Sequence, residues 1–98
     1  RPLSAEEELR RGLSRESRKL VTRIDEINAR LVNHEAKIKE LETMFSNPDQ
    51  FEDAAQLAAF GEQYRELKEE TRLLWEEWET LSLEVERLDS RLGELDDD

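Results

Sequence analysis

The chain has no cysteine, three glycines, two prolines and a single histidine. Without thiols there is no disulfide framework and no thiolate metal site, which is compatible with the cytosol. So few turn-forming residues, beside 42% charged and 36% hydrophobic residues, match a long-helix composition rather than a layered globule. No apolar stretch approaches the ~20 residues needed to span a bilayer, and no signal-peptide core is visible. Glycine-rich phosphate loops are also missing: there is no Walker motif and no GxGxxG, so this piece does not bind ATP by itself. The composition describes a single soluble domain with a cytoplasmic address and no membrane partner.

What the chain does have is a pair of heptad runs on either side of one short breaker. Leu13, Leu20, Ile24, Ile27, Leu31, Ile38, Leu41 and Phe45 fall on alternating steps of three and four, with polar Ser17 and His34 in two of the slots. The pattern restarts at Leu57, Phe60, Tyr64 and Leu67. It then continues through Leu74, Trp78, Leu81, Val85, Leu88, Leu92 and Leu95, with Thr71 the polar member. Such spacing places one apolar seam on each of two long helices. The fold class expected is all-α, a two-helix antiparallel coiled-coil hairpin.

The boundaries follow from local chemistry. Residues 1–12 read as an N-terminal tail and helix start, with Ser4 ahead of Glu6, Glu7 and Glu8 as a cap and Gly12 as a soft spot. The coiled coil spans 13–95, with helices at about 13–46 and 54–95 and a tip at 47–53; an acidic tail, 96–98, follows. Pro48 ends the first helix, because it disfavours helical geometry before it and donates no backbone N–H. Asn47 is placed to cap a short turn, Phe51 is free to fold back onto the seam, and Asp53 with Gln56 resembles a capping box. A tip this short folds the helices back on each other. Setting it at 47–53 pairs Phe45 with Leu57, Ile38 with Tyr64, Ile24 with Trp78, and Leu13 with Leu88. A monomer is expected; a helix-swapped dimer, which buries the same seam, is the alternative.

Charge divides the chain. Of its net −11, residues 1–42 carry +1 and residues 43–98 carry −12. The positive charge concentrates in Arg10, Arg11, Arg15, Arg18, Lys19 and Arg23, opposed within that stretch by Glu16 alone. Any surface for phosphate has to sit there. The competing reading is ion pairing within the hairpin, where Glu79, Glu84, Glu86 and Asp89 come alongside. Trp75 and Phe51 are candidates for protein contact, Trp75 against a reading as core or flank packing. No catalytic residue is expected: His34 has no nucleophile or cleft and reads as a polar layer that sets register. No metal site is expected either, since two helices with apolar seams cannot converge enough Glu and His.

Several stretches carry a family likeness. Ile24-Asp25-Glu26-Ile27, Ile38-Lys39-Glu40-Leu41-Glu42, the tip Asn47-Pro48-Asp49-Gln50-Phe51, Tyr64-Arg65-Glu66-Leu67 and Trp78-Glu79-Thr80-Leu81 resemble the C-terminal coiled-coil domain of ABC-F ATPases. The likeness covers about residues 13–90. It implies an accessory arm of a protein with two upstream nucleotide-binding domains, which would hold ATP and Mg; none of these cofactors belongs to this fragment. It also implies partners in translation or on the ribosome and, in the Uup-like branch, DNA. The acidic second helix confines such contact to the Arg10–Arg23 end. A protein-directed docking arm or spacer without nucleic-acid contact is the second reading.

Overall fold

The computed structural model describes residues 1–96. Asp97 and Asp98 of the expected acidic tail lie outside the described residues. Helix α1 spans Ala5–Phe45, a 3-10 turn spans Pro48–Gln50, and helix α2 spans Ala54–Asp96. Together they make a helical hairpin with no strand among the described residues.

α1 starts at Ala5, directly after the cap expected at Ser4. Ser4 Oγ accepts from the Glu7 backbone N–H at 3.1 Å, and the Ser4 carbonyl accepts from Glu8 N–H at 3.0 Å. Glu6, Glu7 and Glu8 place carboxylates at the positive end of the helix dipole. Gly12 is passed without a break, its flexibility overridden by helix on both sides. At the other end, Ser46 Oγ donates to the Thr43 carbonyl at 2.7 Å and Pro48 stops the helix.

The tip differs from expectation in one detail. Asn47 occupies the capping position of the 3-10 turn but makes no side-chain cap bond; its carbonyl instead accepts from Gln50 N–H at 3.1 Å. The Asp53 box does form: Asp53 Oδ1 accepts from Gln56 N–H at 2.8 Å. Its return arm reaches one residue further back, with Gln56 Oε1 accepting from Glu52 N–H at 2.7 Å.

Contacts divide the chain into two compact units, Arg1–Ile27 with Glu77–Asp98 (described to Asp96), and Asn28–Glu76. In the first, Leu13, Ile27 and Leu88 are buried, and Ser17 Oγ donates across the helices to Asp89 Oδ1 at 3.2 Å. In the second, Leu31, Ile38, Leu41 and Leu74 are buried. Every one of these belongs to the heptad seam.

At the tip end of the second unit the seam is aromatic. Leu57, expected against Phe45, is 41% exposed. Phe45 meets Tyr64 edge-on at 5.6 Å and stacks on Phe51 at 5.8 Å, while Phe51 also tilts against Phe60 at 5.7 Å. Phe51 thus folds back onto the end of the seam, as its position allowed, and Tyr64 lines one groove with Ile38. Aromatic pairs in such offset and edge-on arrangements add about 0.5–1.5 kcal/mol beyond their buried area.

Candidate nucleic-acid interface

The six basic residues of α1 separate into two groups. Arg10 and Arg23 turn inward to α2. Arg10 Nη2 donates to the Leu95 carbonyl at 3.3 Å, and its Nε lies 3.1 Å from Asp96 Oδ1, close enough for an ion pair but not aligned as a hydrogen bond. Arg23 grips Glu77 with two parallel bonds of 2.8 and 2.9 Å and adds Glu26 at 3.2 Å. The bonds from Glu77, then from Glu26, raise the Arg23 pKa and hold it cationic.

Arg11, Arg15, Arg18 and Lys19 behave differently. All four are exposed, and none has an ion pair among the described residues. Two of the four expected neutralisers are occupied: Asp89 accepts from Ser17, and Glu84 pairs with Arg87 on its own helix. That pairing lowers the Glu84 pKa, chiefly through the Arg87 hydrogen bond. Arg11, Arg15 and Arg18 recur at helical spacing, so they share one outer face. With Arg10 and Ser14 they line a shallow depression of about 440 Å³. At 1.5 Å rise per residue, Arg11 to Arg18 spans ~10 Å, about three phosphate steps of one DNA strand at ~3.4 Å each.

The remaining candidates resolve into structure. His34 Nε2 sits 2.7 Å from Glu70 Oε2, with 16% of the His34 side chain exposed. Thr71 Oγ1 is buried and has no partner among the described residues. Both occupy polar slots of the heptad seam. Among the described residues, no group of three His, Cys, Asp or Glu side chains could hold a metal ion. Among the described residues, no helix is long and apolar enough to cross a membrane.

Residues 15–83 match the family described as the ABC transporter C-terminal domain. The chain belongs to the ABC transporter C-terminal domain family. No curated protein and no solved structure matches it. The stretch that places this ABC C-terminal domain in its family contains Arg15, Arg18, Lys19 and Arg23, the Pro48 tip and both tryptophans; Arg10 and Arg11 lie before it.

Of the two protein-contact candidates in this domain, Phe51 is half-buried in the tip's aromatic cluster, where it packs rather than projects. Trp75 is 46% exposed and forms one wall of a groove that also includes Ile38, Tyr64 and Thr71. Lys39 and Lys68 line the same groove, and neither stood out in the sequence. Part of the groove's membership, though not Lys39, follows from heptad position. Glu35, Glu42, Lys68 and Trp75 each follow a seam position by one residue, the heptad slot that flanks the interface between antiparallel helices.

Proposed function

We propose that this chain is the non-catalytic accessory domain of an ABC-F type ATP-binding protein. In this reading it contacts nucleic acid, DNA or ribosomal RNA, through the outer face of α1 between Arg11 and Lys19. ATP and Mg belong to the upstream nucleotide-binding domains, in the cytoplasm; this domain contributes reach and attachment. The observation that carries the reading is the contrast within the basic cluster. Arg10 and Arg23 are spent on α2, whereas Arg11, Arg15, Arg18 and Lys19 stand exposed without an ion pair among the described residues.

The chemistry is charge neutralisation. Guanidinium groups give paired, planar hydrogen bonds to phosphate oxygens, and each phosphate contact releases condensed counterions. Nothing in the cluster reads a base edge, so the contact is with the backbone and independent of sequence. The balance of −12 over residues 43–98 repels phosphate elsewhere and orients the contact onto this one face.

Fluorescence anisotropy of a labelled duplex against salt tests this. Three to four phosphate contacts give a log–log slope of roughly −3. Arg11→Glu, Arg15→Glu and Arg18→Glu together should abolish binding while the far-UV circular dichroism remains helical. Binding that survives the triple reversal, or has no salt slope, removes the proposal and leaves the docking or spacer role.

A further inference from the structure

The groove beside Trp75 lies wholly within the Asn28–Glu76 unit and is separate from the basic face of α1. Its volume, about 1380 Å³, exceeds the ~300–1,000 Å³ of small-molecule pockets, and it is an open trough along two helices rather than a closed cavity. The α1 rim runs from Glu35 to Ser46, ~16 Å or three helical turns. Ile38, Tyr64 and Trp75 supply apolar floor and wall, with the unpartnered Thr71 hydroxyl between them. An elongated amphipathic segment fits that shape.

Charge selects among such segments. Two of the rim arginines are already engaged: Arg72 binds Glu69 and Glu76, and Arg65 pairs with Glu62. Lys39 and Lys68, one from each helix, have no ion pair among the described residues; Lys68 Nζ lies only over the Tyr64 ring, 5.8 Å from its centre. Along the α1 rim the order is Glu35, Lys39, Glu42, with no ion pair to either glutamate among the described residues. The rim thus presents negative, positive, negative at intervals of one helical turn. A nucleic-acid strand, uniformly negative, would meet Glu35 and Glu42 as repulsion.

We infer that this groove docks an amphipathic helix of a partner protein, about three turns long. Its apolar stripe is flanked by a basic, an acidic and a basic residue in that order. The acidic residue sits between Lys39 and Lys68, the basic ones over Glu35 and Glu42, and the apolar stripe on Ile38, Tyr64 and Trp75. Packing supplies affinity and the alternating rim supplies register and choice of partner.

The test uses two designed helical peptides of identical composition. Both carry leucines at helical spacing; one orders its charges Lys-Glu-Lys along the stripe, the other Glu-Lys-Lys. Isothermal titration against the 98-residue chain should find the first peptide bound at least tenfold more tightly. Lys39→Glu with Lys68→Glu should erase that preference. Lys39→Gln with Lys68→Gln, a milder change, should reduce it, and Trp75→Ala should weaken both peptides. Circular dichroism checks that each variant is helical. Equal binding of the two peptides, or a preference untouched by the lysine variants, overturns the inference. So does competition by a single-stranded oligonucleotide, or sedimentation showing that a second copy of the chain fills the groove and leaves it in the Trp75→Ala variant.

Discussion

Leu41 and Leu57 are both seam residues by heptad spacing, and truncating each to alanine separates spacing from structure. Leu41 is fully buried, with no exposed surface, whereas Leu57 is 41% exposed at the start of α2. Leu41→Ala therefore loses a whole side chain of burial and opens a cavity in a thin core. That costs about 3 kcal/mol, within the usual span for buried leucine. Leu57→Ala loses only part of the ~2 kcal/mol transfer gain, creates no enclosed void and gains slightly in helix propensity, so it costs about 1 kcal/mol or less. For a domain of this size each kcal/mol shifts the melting temperature by roughly 4–8 °C. Thermal melts followed by far-UV circular dichroism should therefore show a loss of about 12–24 °C for Leu41→Ala and no more than about 8 °C for Leu57→Ala. Equal losses would mean that Leu57 is as deeply packed as Leu41 and would refute the difference in burial between them.

Gly12 and Gly61 both lie inside helices with nothing within 4 Å of where a Cβ would stand. Gly12→Ala and Gly61→Ala should each stabilise by about 0.5–1 kcal/mol, read as a raised urea midpoint; a loss would mean that the helix is broken at that point. Glu84 is held below its ordinary value of 4.5 by its bond to Arg87. A carboxylate with a depressed folded-state pKa contributes stability that is present above that value and lost as pH falls through the folded one. Glu84→Gln should accordingly lower the melting temperature at pH 7, with the difference from wild type shrinking once pH drops below 4.5. A difference independent of pH would contradict the pairing.

Most of the fold was legible because it is written in local, periodic chemistry. Leu13, Ile27, Leu31, Ile38, Leu41, Leu74 and Leu88 are buried where their spacing put them. Ser4, Pro48 and Asp53 mark boundaries through hydrogen bonds or steric clashes within a few residues of themselves. The fold-back of Phe51 onto the seam was open to it from its place in the tip, but its ring partners were not. The length of a tip can be counted, whereas the pairing of Phe51 with Phe45 and Phe60, and of Phe45 with Tyr64, depends on where those rings come to rest.

The candidate site was legible in its membership and not in its state. Six basic residues between Arg10 and Arg23 are plain in the chain. That Arg23 would find Glu77, and Arg10 the end of α2, while Arg11, Arg15, Arg18 and Lys19 would have no ion pair among the described residues, depends on which flank of α1 turns toward α2. The groove was less legible still, because Lys39 and Lys68 are unremarkable until two helices bring them to one trough.

From residues alone come two amphipathic helices, the break between them, the acidic and basic halves and the membership of the seam, since each depends on spacing or on neighbours along the chain. Tertiary structure decided the pairing across the helices: Phe45 with Tyr64, His34 with Glu70, Arg23 with Glu77. The reason is that sliding one helix along the other leaves both heptad patterns intact while exchanging every partner between them. Only the packing of the tip and the side chains it sets face to face select one alignment.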